Sequence, residues 1–322
     1  MAAYDVFNGD ADGICSLVQL RNAEPRAAEL VTGVKRDIEL LAQVRATAGD
    51  LITVLDVSLD KNRDALLQVL ESGAEVFYSD HHFAGEMPES PKLTALINTA
   101  SDVCTSLLVN GHLKGQFAQW AVTGAFGDNL RNSAIAAAKP LSLTEAQLTS
   151  LENLGIYINY NGYGSALEDL HFHPADLYRQ VEGYHSPFDF ISDNREAFEK
   201  LEQGYHSDMS AAGAIGPQRA SDAAAVFILP NEAWARRVSG VYSNDLANGS
   251  PDRAHAVLTH KDNGNYLISV RAPLNNKQGA DELCRQFPTG GGRAAAAGIN
   301  DLPADALGQF IDQFTDFFTR RV

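Results

Sequence analysis

The chain opens with a short apolar run, residues 4–7, that stops at Asn8-Gly9-Asp10-Ala11-Asp12-Gly13. The same pattern recurs. Leu51–Leu55 ends in Asp56, and residues 75–78 lead into Asp80-His81-His82. Between these runs, residues 14–21, 37–46 and 61–72 carry apolar positions at helical spacing. Short strands alternating with amphipathic helices predict an α/β fold whose parallel sheet is covered by helices on both faces. Asp is depleted within strands. Carboxylates placed at the ends of successive strands therefore point to the sheet edge where ligands collect.

Further along, residues 102–127 read as helical, with Asp102 as the N-cap and Gly111 as a break. Residues 140–205 read as helical or irregular, with Ser142 and Glu145 as a capping box. Residues 207–223, rich in Ser, Ala and Gly, are expected to link a domain of residues 1–206 to a smaller α/β domain of residues 224–322. That second domain reads as Ala224–Leu229 strand, 231–246 helix and 254–259 strand. Asp262-Asn263-Gly264-Asn265 then turns the chain into Tyr266–Arg271, a hairpin signal. A helix near 278–285, the triplet Gly290-Gly291-Gly292, Arg293, an apolar stretch and a C-terminal helix follow. A chain of 322 residues is long enough for two cores.

Composition narrows the function. Apolar residues make up 45% and charged residues 20%, the balance of a folded protein rather than a disordered one. A formal charge of −16 with 25 basic residues argues against binding long duplex nucleic acid, whose affinity comes from Lys and Arg neutralising phosphates. A short phosphate-bearing ligand remains compatible. Cys15, Cys104 and Cys284 lie far apart, so neither a disulfide framework nor a thiolate zinc site is indicated. Asp5 and Asp10 interrupt the only stretch resembling a signal peptide, and no apolar run approaches the ~20 residues that span a bilayer. The expectation is a soluble, cytoplasmic protein with no membrane partner, compatible with a homodimer.

Asp10 and Asp12 can point into one site if Gly9 and Gly13 permit a sharp turn, although Asp12 also suits a helix cap. Asp56 alone reads as a strand-end cap. Asp80-His81-His82 is a stronger signal, because adjacent imidazoles beside a carboxylate supply a metal ligand, an orienting partner and a substrate contact. Asp128 follows a glycine-flanked turn. Oxygen-rich sites with one or two imidazoles suit Mn²⁺ or Mg²⁺, which points to a metal-dependent hydrolase. Tyr157, Tyr160 and Tyr163 read as core or loop filling rather than as a base-stacking set.

Taken in order, Asp10/Asp12, Asp56, Asp80-His81-His82, Asp128 and Gly290-Gly291-Gly292 resemble the motifs of the DHH phosphoesterase superfamily. The second half resembles the DHH-associated C-terminal domain of its nanoRNase and RecJ-related branch. The resemblance implies an active site in the cleft between the domains. It implies two Mn²⁺ ions, with Mg²⁺ or Co²⁺ as substitutes: Asp10 and Asp56 hold one, and Asp12, Asp56, His81 and Asp128 the other. His82 then contacts the scissile phosphate, Asp80 orients the imidazoles, and Arg271, Gly290, Gly291, Gly292 and Arg293 bind substrate.

Three positions depart from the family pattern. Val6 stands where many members carry histidine, Asn8 where RecJ-like proteins carry aspartate, and Arg293 where a histidine usually follows the triplet. Arginine retains phosphate binding with bidentate geometry. The activity implied is hydrolysis of very short oligonucleotides, diribonucleotides such as the cyclic-di-GMP breakdown product pGpG, to 5′-mononucleotides. A cyclic-dinucleotide phosphodiesterase and a 3′-phosphoadenosine 5′-phosphate phosphatase rank below it. A manganese pyrophosphatase and a non-catalytic nucleotide sensor rank lower still.

Overall fold

The computed structural model describes residues 1–321, and the chain divides into two compact units, with the boundary between Gly204 and Tyr205. In the first unit, β1 (Ala3–Phe7), β2 (Glu29–Val31), β3 (Leu51–Leu55), β4 (Glu75–Asp80) and β5 (Leu93–Ile97) form a parallel sheet in the order β2-β1-β3-β4-β5. Helix α1 (Ala11–Ala23) follows β1, and α2 (Arg63–Glu71) joins β3 to β4. The two-residue period of the strands sorts their side chains. Val6, Ile52, Val54, Val76 and Tyr78 share a core with Leu40, Leu41 and the α2 residues Leu66 and Val69. On the other face, Asp5 and Thr53 meet Arg21 of α1, which donates to Asp5 Oδ2 at 2.8 Å and Thr53 Oγ1 at 2.8 Å. The strand order reverses between β1 and β3, the topological switch at which such sheets bind ligands.

The rest of this unit is helical: α3 (Thr105–His112), α4 (Ala118–Gly127), α5 (Arg131–Ala138), α6 (Glu145–Asn161), α7 (Pro174–Val181), α8 (Pro187–Asp193) and the first half of α9 (Arg195–Gly213). Four local readings change. Residues 37–46 form only a single 3₁₀ turn, Leu40–Gln43, because the Asn62 amide takes the backbone groups a helix would use. Its Nδ2 donates to Ile38 O at 2.5 Å and its Oδ1 accepts from Leu41 N at 3.1 Å. Cys104, not Asp102, precedes α3, and Gly111 lies inside that helix, which ends before Lys114 and Gly115 at positive φ (54° and 81°). The capping box is Thr144 with Gln147, two residues beyond Ser142 and Glu145. The stretch expected as a linker is helical to Gly213 and then contributes a short strand.

In the second unit, β6 (Arg219–Ala220), β7 (Ala224–Leu229), β8 (Ala254–His260), β9 (Tyr266–Arg271), β10 (Gly290–Gly292) and β11 (Ala296–Leu302) form a sheet in the order β10-β11-β9-β8-β7-β6. Strands β7 and β8 run parallel, joined by α10 (Ala233–Gly249), and the other pairs are antiparallel. Helices α11 (Ala280–Cys284) and α12 (Leu307–Thr319) complete it. Phe310, Phe314 and Phe318 recur at one face of α12 and bury into the cluster of Val226, Ile268 and Ile299. Among the described residues, no helix is long and apolar enough to cross a membrane.

Candidate metal centre

Each acidic residue of the first unit reaches the switch point by a different local device. After β1 the chain turns, and Asp10 becomes the N-cap of α1. Its Oδ1 accepts from Asp12 N at 3.0 Å and Gly13 N at 3.1 Å. Asp12 is thereby released from the capping role that its position suggests. Its own carboxylate is fully buried and accepts the Thr105 and Ser106 N–H groups, both at 2.7 Å. These N–H groups belong to the first turn of α3, where the helix dipole favours a negative charge.

Asp56 follows β3 with φ at +56°, a left-handed conformation that costs a non-glycine residue about 1 kcal/mol or more. Its N–H donates to Ser79 O at 3.0 Å, and Thr105 Oγ1 donates to its Oδ1 at 3.2 Å. Asp80 is the last residue of β4, one step inside the strand rather than beyond it. Asp128 caps the C-terminus of α4, and Asn129 after it also takes a positive φ.

These residues converge on one imidazole. His81 Nε2 lies 3.4 Å from Asp56 Oδ1, 3.8 Å from Asp128 Oδ2 and 4.0 Å from Asp12 Oδ2. Its other nitrogen, Nδ1, is 3.0 Å from Val103 O. A carbonyl only accepts, so Nδ1 carries the proton and Nε2 turns its lone pair to the carboxylates. Next to it, His82 Nδ1 is 2.7 Å from Asp80 Oδ1, and the His82 side chain is 45% exposed, which leaves its far edge open to a ligand. Asp80 itself is fully buried, and its Oδ2 has no hydrogen-bond partner among the described residues.

The carboxylates are crowded. Burial, then the charges of Asp10, Asp12, Asp128 and Asp80, push the Asp56 carboxyl well above its ordinary value. Burial likewise carries Asp128 up to about 6, against the pull of Lys35. A buried surplus of negative charge beside an imidazole lone pair fits a divalent cation. Among the described residues, two sets of three are close enough to share one: Asp12, His81 and Asp128, or Asp56, His81 and His82, each within 4.8 Å of one another.

No local pattern marks the remaining member. Lys35 Nζ lies 2.6 Å from Asp10 Oδ2, 3.0 Å from Asn159 Oδ1 and 3.8 Å from Asp128 Oδ1. Burial raises the Asp10 carboxyl, but the Lys35 charge and hydrogen bond outweigh it and hold Asp10 below its usual value. Burial works against the ammonium, and Asp10 foremost keeps Lys35 well above its ordinary value. The motif order places Asp10 with Asp56 on one ion; here one Asp10 oxygen caps α1 and the other pairs with Lys35. Asn8 Nδ2 donates to the Lys35 carbonyl at 3.3 Å, its Oδ1 is buried with no hydrogen-bond partner among the described residues, and Val6 packs in the sheet core. Of the three tyrosines, Tyr157 and Tyr160 are buried, while the Tyr163 ring lies 5.3 Å from Lys35 Nζ.

The chain matches no protein-family model and no curated protein. Solved structures do match. Exonuclease RecJ bound to manganese aligns with a TM-score of 0.62 at 16% identity, over 99% of this chain and 90% of RecJ. The DHH domain of a member of a ribosomal-protein family aligns at 0.64 and 12% identity, over 98% of this chain and 86% of that one. The pGpG-specific phosphodiesterase PggH of Vibrio cholerae aligns at 0.58 and 17% identity, over 98% of both chains. The chain has the DHH fold.

In this DHH-fold chain the remaining expected residues belong to the second unit. Arg271 ends β9 and donates from Nε to Asn244 Oδ1 of α10 at 2.7 Å and from Nη1 to Ser269 Oγ at 3.0 Å. The glycine triplet is not a free turn. It is β10, an edge strand registered on β11. A Cβ at Gly290 would sit 1.8 Å from Cys284 O, and Gly292, at φ +137°, would place one 2.5 Å from Ala297 Cα. Packing therefore explains two of the three glycines, whereas the Gly291 position faces open space. Arg293 is exposed, and its guanidinium makes no ion pair or hydrogen bond among the described residues.

Proposed function

We propose that this protein is a metal-dependent phosphoesterase that hydrolyses very short oligonucleotides, diribonucleotides such as pGpG, to 5′-mononucleotides. The observation that carries this reading is the His81 ring, held by Val103 O so that Nε2 faces Asp12, Asp56 and Asp128. The DHH fold supports it, as do neighbours described as a RecJ exonuclease and a pGpG-specific phosphodiesterase.

Mn²⁺, with Mg²⁺ or Co²⁺ as substitutes, would be held by His81, Asp12, Asp56 and Asp128, and would supply a Lewis acid and a nucleophilic water at neutral pH. His82 donates its Nδ1–H to Asp80 Oδ1 and offers the other nitrogen to the substrate phosphate. Burial lowers the basicity of His82, but the hydrogen bond to Asp80 and the charges of Asp80, Asp10 and Asp128 together outweigh it and raise the ring above its ordinary basicity, which suits contact with an anion. Arg293, unpaired and exposed, suits bidentate contact with a terminal phosphate, and Gly291 leaves room for one. The charge of −16 favours short substrates over long strands.

Purified protein with Mn²⁺ should be offered pGpG, pApA, 3′-phosphoadenosine 5′-phosphate, cyclic dinucleotides, pyrophosphate and a decanucleotide. Selective turnover of the linear dinucleotides is expected. Absence of dinucleotide turnover, or faster hydrolysis of pyrophosphate, would sink the proposal.

A further inference from the structure

We infer that the centre takes a single divalent ion, bound through His81 Nε2, and that the Lys35 ammonium fills the place of a second. This rests on the metal-dependent reading above and departs from the two-ion arrangement that the motif order implies. Among the described residues, both sets of atoms able to share an ion include His81. The nitrogen that His81 turns to the carboxylates has one lone pair, because Nδ1 keeps its proton on Val103 O. One lone pair serves one ion. Asp10 belongs to neither set.

What stands beside Asp10 instead is a cation of the protein's own. The ammonium has three donors, and three oxygens surround it: Asp10 Oδ2 at 2.6 Å, Asn159 Oδ1 at 3.0 Å and Asp128 Oδ1 at 3.8 Å. Its stem is aimed by the backbone rather than left to swing. Lys35 N donates to Gly162 O at 2.8 Å, and Lys35 O accepts from Asn8 Nδ2 at 3.3 Å. Just before it, Val34 N donates to Asp37 Oδ2 at 3.0 Å, which closes the loop into a tight turn. That loop reaches the first acidic motif only because residue 9 is glycine: a Cβ there would lie 2.0 Å from Gly33 O. A dication lodged between Asp10 and Asp128 would meet a positive charge already seated on both. The like charges exclude each other at such separations in a buried site.

The test uses the full chain, stripped of metal and titrated with Mn²⁺ alone, with bound metal counted by elemental analysis and its environment read by electron paramagnetic resonance. The wild-type protein is expected to hold one Mn²⁺ with the hyperfine spectrum of an isolated ion. Lys35→Ala should raise the count from one to two and bring in the spectrum of a spin-coupled pair. Two coupled ions in the wild type overturn the inference and leave the metal-dependent reading standing. No Mn²⁺ retained by the wild type overturns both. If Lys35→Ala stays at one ion, the ammonium does not fill the second place; Lys35→Ser answers the same question if the alanine variant does not fold.

Discussion

Asp12 of α1 accepts the backbone N–H of Ser106 in α3 at 2.7 Å, across 94 positions of sequence, and accepts Thr105 N at the same distance. Each carboxylate oxygen thus spends one lone pair on a helix terminus and keeps another for a cation. The same side chain anchors a fold element and belongs to the candidate metal centre.

Asp12→Asn should therefore damage two properties together. The amide nitrogen would face one of the two N–H groups, donor against donor. The expected cost is about 1–3 kcal/mol in denaturant unfolding, together with weaker Mn²⁺ binding by calorimetry. Unchanged stability would contradict the capping role.

The metal-free protein should lose stability as pH rises through the acid range. The Asp128 carboxyl, ordinarily 3.8, is pushed up to about 6 in the fold. The folded state thus binds the proton more tightly than the unfolded state between these values, and stability declines with pH across that window. The melting temperature should fall from pH 4 to 7 without metal, and Asp128→Asn should flatten the slope. A slope unaffected by that substitution would remove Asp128 as its source.

Arg21 and Asp5 are buried partners between α1 and β1, with Thr53 completing the set. Arg21→Met leaves the Asp5 carboxylate buried and unpaired, at a cost of about 3–5 kcal/mol. Adding Asp5→Val to that variant should recover most of the loss. Urea titrations with an unchanged slope would measure both.

Asp80→Asn should spare the metal and impair the reaction. It removes the acceptor that holds His82 Nδ1 at 2.7 Å and keeps that ring basic. We expect kcat to fall about 10- to 100-fold, with the limb of the pH–rate profile that reports His82 moving to lower pH and Mn²⁺ content unchanged. Lost Mn²⁺ would instead make Asp80 part of the ion's support.

The two arginines of the second unit should separate. Arg293→Ala removes an exposed, unpaired cation, so KM for pGpG should rise about 10- to 100-fold, the equivalent of one charge-assisted hydrogen bond, with the melting temperature unchanged. Arg271→Ala should also lower the melting temperature, because its guanidinium ties β9 to Asn244 of α10. Equal thermal losses in both variants would refute this division.

Strands β3, β7 and β9 are legible to the residue, because apolar runs bounded by turn residues encode a strand locally. The hairpin into β9 follows from Asn263-Gly264 for the same reason. Helix ends are less legible, since their backbone groups accept partners from anywhere in the fold. Asn62 reaches 24 positions back to break the helical pattern of residues 37–46, and Asp12 takes the N–H groups for which Asp102 is the nearby candidate cap.

The sequence by itself determined that carboxylates and imidazoles would end the strands, since strand propensity and side-chain spacing are properties of neighbours. Tertiary structure alone decided how those groups divide their roles. Asp10 caps α1 and holds Lys35, Asp12 is freed to face His81, and Val103 chooses the nitrogen that His81 presents. Lys35 meets Asn159 across 124 positions. Nothing in the residues beside Lys35 announces that meeting, because the attraction between an ammonium and its acceptors depends on distance through space and not along the chain.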